Sequence, residues 1–228
     1  MATNFDQFSK NYSEVLNESI RGVGFDADYL INHKLENLRR LNSNICEDSF
    51  SFLDYGCGVG NICKEFSKFF PQGRYSGVDQ SSEMIEECNS KYSPEGSFYE
   101  LEAEEWKQQT YDLIFSACVF HHIPSEKHLS VLETLRTLLN EKGKLIIWEH
   151  NPYNPITRKI VNECAFDQDA VLISPQKMKR LFRHFPSFEV LVKYTTFFPE
   201  KLSFLNGIEP FLEWLPLGGQ YIAIAEKR

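Results

Sequence analysis

Each thing missing from this 228-residue chain argues against a class of function. No apolar run approaches the roughly 18 residues needed to span a bilayer, so no membrane partner is expected. Basic residues are outnumbered, with 24 Lys and Arg against 32 Asp and Glu, for a net charge of −8. Binding a phosphate backbone needs a basic face, so no nucleic-acid partner is expected either. The densest basic group, Lys177, Lys179, Arg180 and Arg183, reads as a solvated helix face. None of the cysteines at 46, 57, 63, 88, 118 and 164 forms a C-x-x-C pair, which argues against zinc, and no metal is expected. The N-terminus lacks the charged and apolar regions of a signal peptide, so reduced thiols and a cytoplasmic location are expected. No repeat, linker or low-complexity stretch divides the chain. Its length suits a single α/β domain over residues 1–228, of unspecified oligomeric state.

Apolar residues, by contrast, make up 42% of the chain, and 19 Phe and 10 Tyr exceed what a minimal core requires, leaving rings to line a pocket. The stretch that organises the rest is Ser51-Phe52-Leu53-Asp54-Tyr55-Gly56-Cys57-Gly58-Val59-Gly60-Asn61-Ile62. An apolar run ends in an acid, breaks into alternating glycines, and resumes with Ile62, Phe66, Phe69 and Phe70 on one helical face. That is a strand, a tight turn and a helix N-terminus. Glycine lets backbone approach a ligand closely, and such turns at strand carboxyl ends are where open α/β sheets bind nucleotides. A dinucleotide fingerprint would need glycine at position 61, which is Asn61, and there is no G-K-[ST] to cradle phosphates. Asp54 would repel a pyrophosphate but suits a ligand carrying an ammonium group or hydroxyls.

A second strand, Arg74-Tyr75-Ser76-Gly77-Val78, ends at Asp79, one β-α-β unit beyond Asp54. A carboxylate accepts only, so Asp79 can take both hydroxyl protons of a ribose. Gln80 follows it, and Met84 is among the first apolar residues of the next helix. A third strand over 96–101 leads into Glu102-Ala103-Glu104, and a buried fourth strand, Tyr111 to Ser116, into Ala117-Cys118-Val119-Phe120-His121-His122-Ile123-Pro124. A helix from Glu126 to Asn140, closed by Lys142-Gly143-Lys144, precedes a fifth strand, Leu145 to Glu149.

The D-x-G-C-G-x-G turn, Asp79 and the segment with paired His and following Pro together resemble the class I S-adenosylmethionine-dependent methyltransferases, over about residues 50–150. The resemblance implies a doubly wound, Rossmann-like α/β fold: a seven-stranded, mostly parallel sheet with an antiparallel last strand and helices on both faces. It implies S-adenosyl-L-methionine as cofactor, held by Asp54, Gly56, Cys57, Gly58, Asp79, Gln80, Met84 and Ser116, with Glu102 and Ala103 at the adenine; Glu104 is the alternative acid there. Residues 1–45, with a helix from Asp26 to Asn42, form an N-terminal cap from which Tyr12 and Lys34 are candidates to reach the ligand. Residues 151–228 supply substrate-side helices, restarting at Ser174-Pro175, and a terminal β-hairpin from strands at 188–198 and 220–226. Between those strands Phe204, Leu205, Ile208, Phe211, Leu212 and Leu215 make an apolar helical face expected to pack on the core.

The expected activity is methyl transfer to a small-molecule acceptor. The loop Glu149–Pro155 and residues 156–218 resemble methyltransferases found with bacterial surface-sugar enzymes, pointing to a sugar or surface-polysaccharide precursor. A non-catalytic domain that binds S-adenosylmethionine as sensor or scaffold is the alternative. A catalytic base, if used, is His121, His122 or His150, each just past a strand end, because imidazole titrates near neutral pH.

Overall fold

The computed structural model describes residues 5–9, 11–167 and 169–227. Its sheet comprises β1 (Phe50–Tyr55), β2 (Gly73–Asp79), β3 (Gly96–Glu100), β4 (Tyr111–Ala117), β5 (Leu139–His150), β6 (Phe188–Thr195) and β7 (Gln220–Lys227). They lie in the order β3-β2-β1-β4-β5-β7-β6. The first five run parallel, and β7 inserts antiparallel between β5 and β6. The helices are α1 (Tyr12–Arg21), α2 (Ala27–Leu41), α3 (Ser43–Cys46), α4 (Asn61–Phe69), α5 (Ser82–Tyr92), α6 (His128–Thr137), α7 (Pro155–Glu163) and α8 (Pro175–Phe182). The doubly wound α/β class inferred from the sequence is the one observed.

Strand periodicity explains the two-layered core. Successive side chains point to opposite faces, so Phe52 joins Phe66, Tyr75, Phe115 and Trp148 on one side, while Leu53 joins Ile114, Leu132, Ile147 and Tyr221 on the other. A parallel sheet covered on both faces needs continuous apolar strands, and burying each such side chain contributes about 1.5–3 kcal/mol. Helix starts are set by local chemistry: Asp26 accepts from the N–H of Asp28 and Tyr29, Asn154 from Ile156 and Thr157, and Ser174 from Lys177.

Two expectations fail for identifiable reasons. The helix ending at Lys142-Gly143-Lys144 stops instead at Thr137, after a 3-10 turn over Ser125–Lys127 and α6, and Leu139 already pairs with Tyr111. Gly143 marks a bulge in β5: a Cβ there would lie 2.9 Å from the Asn140 carbonyl oxygen and 3.2 Å from that of Tyr111. The face from Phe204 to Leu215 does not pack on the core as a unit: Phe204, Ile208 and Phe211 are exposed, and Leu205, Leu212 and Leu215 are half-buried. The segment Glu200–Phe211 is 3-10 helix; Leu202 within it has non-helical angles, and it contains Pro210. With three residues per turn, Asn206, Glu209 and Leu212 share the inward row. Glu209 is buried and accepts from Phe197 N at 2.7 Å and Thr195 Oγ1 at 3.2 Å, which turns Phe204 and Phe211 outward, each 77% exposed.

Among the described residues no helix is long and apolar enough to cross a membrane. The chain runs outward from β1 through β2 to β3, then returns to the other side of β1 with β4. The crevice at that reversal is the expected ligand position of an open α/β sheet.

Candidate active site

A cavity of about 340 Å³ lies at the carboxyl ends of β1, β2, β4 and β5, roofed by residues of α1 and α2. Its floor is the glycine turn. Gly56, Gly58 and Gly60 have φ of 82°, 54° and 79°, a region side chains disfavour, and a Cβ on Gly56 would lie 2.3 Å from Val119. The turn is tied to β2, since the N–H groups of Gly56 and Cys57 donate to the Val78 carbonyl at 2.8 and 3.1 Å.

Two carboxylates face the cavity from neighbouring strand ends. Asp54 is buried and accepts a 2.6 Å hydrogen bond from the Tyr75 hydroxyl. Burial pushes it up to about 7; the Tyr75 bond works against this, the Asp79 charge adds to it, and Lys34 on α2 opposes it. Asp79 accepts from Gly58 N at 2.8 Å and Ser81 N at 3.0 Å. Burial raises its pKa, opposed by the backbone donors of Ser81, Gly58 and Gln80. Cys57, Gln80, Met84, Tyr12 and Lys34 also line the cavity. Leu101 does so where Glu102 and Ala103 do not: Glu102 is exposed and Ala103 packs against the core. Ser116 is wholly buried within β4, its hydroxyl without a hydrogen-bond partner among the described residues, and Ala117, Cys118 and Val119 reach the cavity instead.

The opposite wall holds the histidines. Glu149 at the end of β5 accepts from Val119 N at 3.1 Å and Phe120 N at 2.8 Å, which pins the 3-10 turn Phe120–His122 after β4. Its second oxygen is 2.6 Å from His121 Nδ1. Asp167, in the loop after α7, lies 3.4 Å from His121 Nε2 and 3.1 Å from His122 Nε2. His122 and His150 line the cavity, whereas His121 is enclosed behind them. Burial alone would lower the His121 pKa, but Glu149 and Asp167 hold it well above the usual value. Burial, then the His121 charge, pushes His150 down to about 4. Burial would raise Glu149 and Asp167, yet the neighbouring imidazoles hold both below their ordinary values.

Several lining residues escaped the sequence reading. Asp167 and Phe166, which stacks on Tyr12 with ring centroids 4.9 Å apart, belong to no motif. Phe5 meets the His122 ring edge-on at 5.0 Å, and Gln220 of β7 closes the far side. These residues come from separate segments, so no local spacing reports them.

Residues 47–185 match the family model described as a methyltransferase domain. The chain belongs to that family. Trans-aconitate 2-methyltransferase of Escherichia coli is 31% identical over 117 residues, which is 51% of this chain and 45% of that protein. The chain thus spans about half the length of the curated relatives it matches. Two solved structures share the fold of this methyltransferase-domain chain. A SAM-dependent methyltransferase from Archaeoglobus fulgidus aligns with TM-score 0.68 at 19% identity, covering 95% of this chain and 100% of that one. The plantazolicin methyltransferase BpumL in complex with SAH aligns with TM-score 0.69 at 16% identity, covering 98% and 94%.

Proposed function

We propose that this protein transfers a methyl group from S-adenosylmethionine to a small-molecule acceptor. The observation that carries the reading is the cavity at the sheet's switch point. There a glycine turn with three left-handed residues stands beside two carboxylates, and the turn is not followed by the G-K-[ST] of a phosphate-cradling loop. Asp79 suits the ribose hydroxyls, because its oxygens keep acceptor capacity beyond the two backbone bonds they already take. Asp54 suits the ammonium of the methionine portion, whose charge would draw the buried carboxyl into its ionised form. Met84, Leu101 and Val119 offer apolar surface to the adenine, with Glu102 and Ala103 next in the chain after Leu101.

With Asp54 and Asp79 holding the two ends of the donor, the reaction would be an in-line displacement in which the acceptor–methyl bond forms as the methyl–sulfur bond breaks. When bound, the cofactor supplies the activated methyl. The chain orients the acceptor and excludes water. His122 and His150 face the cavity; His150, held at about 4, is uncharged at neutral pH and too weak a base to take a proton from a hydroxyl acceptor, so His122 is the candidate for that role. The enclosure by Phe5, Tyr12 and Phe166 and the net charge of −8 favour a small acceptor over a nucleic acid. The relatives are named for trans-aconitate and plantazolicin and not for a sugar, so the surface-sugar acceptor is not carried forward.

Calorimetry tests the reading: S-adenosylmethionine and S-adenosylhomocysteine are expected to bind, with NAD and ATP far weaker. Incubation with radiolabelled cofactor and a panel of small hydroxyl, carboxyl and amine acceptors then separates turnover from binding alone. Tight NAD binding without S-adenosylhomocysteine binding would overturn it.

A further inference from the structure

The cluster behind the cavity wall contains more than a proton acceptor requires. The side chain of His121 is fully enclosed, and Glu149, itself anchored by two backbone N–H groups, fixes its Nδ1 at 2.6 Å. In a neutral ring that contact places the proton on Nδ1 and leaves a bare lone pair on Nε2. Among the described residues Nε2 makes no well-aligned hydrogen bond, its polar neighbour Asp167 Oδ1 standing off at 3.4 Å, and a buried polar atom so loosely held calls for an explanation. What it faces is a second histidine and a carboxylate. One ring nitrogen each from His121 and His150 and one oxygen of Asp167 all lie within 4.8 Å of one another.

We propose that His121, His150 and Asp167 bind one divalent transition-metal ion at the cavity wall. Two imidazoles and a carboxylate suit Zn²⁺, Co²⁺ or Fe²⁺ better than the all-oxygen shells of Mg²⁺ and Ca²⁺. Ligand atoms held about 2.0–2.1 Å from an ion stand roughly 3–3.4 Å from each other. His121 Nε2 and Asp167 Oδ1, 3.4 Å apart, already have that spacing, so His150 is the ligand that must close in. The surroundings match what metal-binding residues require: a carboxylate on the far nitrogen of His121, and His122 Nε2 at 3.1 Å from Asp167 to orient it. The ligands come from the turn after β4, the end of β5 and the loop after α7, a dispersal that cysteine spacing could not reveal.

Because His150 and Asp167 line the cavity and His121 closes the back, the ion's remaining positions open toward the acceptor. Resting here on the methyl-transfer reading, the ion fits an acceptor with a hydroxyl or carboxylate oxygen, which completes the shell and is polarised beside the methyl group. The competing account is an imidazolium at His121 shared between Glu149 and Asp167, with no ion at all.

The test uses the whole chain without a histidine tag, stripped with a chelator and titrated with Co²⁺ and Zn²⁺. One ion per chain is expected, with visible Co²⁺ absorption bands from nitrogen and oxygen ligands. His150→Ala and Asp167→Asn should each abolish those bands, and Glu149→Gln should weaken binding about 10- to 100-fold. Circular dichroism verifies that the variants fold. The wild-type titration needs no variant at all. S-adenosylhomocysteine affinity, measured separately, reports on the methyl-transfer reading. The absence of saturable binding by the wild-type chain, or binding that persists in folded His150→Ala and Asp167→Asn, would overturn the metal site.

Discussion

Asp54→Asn is the perturbation that couples stability to ligand binding most directly. The side chain is nearly isosteric, and the amide oxygen can still accept from Tyr75. What the substitution removes is a carboxyl raised from an ordinary 3.8 to about 7 by burial, with Asp79 adding to the shift and Tyr75 and Lys34 opposing it. A raised carboxyl favours folding while it is protonated, so its contribution is full below pH 3.8 and is lost as pH climbs through about 7. At 1.36 kcal/mol per pH unit that loss amounts to at most about 4 kcal/mol above neutrality. The neutral amide escapes it. Asp54→Asn should therefore stabilise the unliganded protein increasingly with pH, from under about 1 kcal/mol at pH 4 to about 2–4 kcal/mol at pH 8. The same change should weaken S-adenosylmethionine by about 1.5–3 kcal/mol, the worth of a hydrogen bond to a charged group. Urea denaturation of both proteins at each pH, with calorimetry at pH 8, measures both effects. Equal stabilisation at pH 4 and pH 8, or destabilisation at pH 8, would refute the reasoning, because the neighbours whose titration feels the Asp54 charge, Cys57, Cys63 and Tyr75, are all pushed up from their ordinary values and stay protonated over that range.

Two further substitutions examine the cofactor side of the cavity. Gly56→Ala places a Cβ 2.3 Å from Val119 at φ 82°; it should cost about 2–4 kcal/mol, read as a lower urea midpoint, together with weaker S-adenosylhomocysteine binding. An unchanged midpoint would mean that the turn relaxes freely. Asp79→Ala frees the N–H groups of Gly58 and Ser81 and removes the proposed ribose acceptor, so calorimetry should show about 1–3 kcal/mol less affinity. Unaltered affinity would move the ribose contact to another residue.

Much of this protein was determined by local sequence. Phe52-Leu53 and Ile146-Ile147 send alternate side chains into the two core layers, so continuous apolar runs had to be strands buried on both faces. Alternating glycines after Asp54 form a turn at φ values that side chains disfavour, and Asp26, Asn154 and Ser174 start helices because their oxygens satisfy the first free N–H groups. The tertiary structure decided whatever depends on residues far apart in the chain. Gly143 carries the same local signal at a helix end as at a strand bulge, and only the pairing of Leu139 with Tyr111 chooses between them. Phe204 and Phe211 were apolar enough for the core, but the bonds of Glu209 to Phe197 and Thr195 turned them to solvent. His121, Glu149, His150 and Asp167 meet because β4 and β5 lie side by side and the loop after α7 folds back over their ends. That convergence is a property of the sheet order, and no spacing within one segment encodes it.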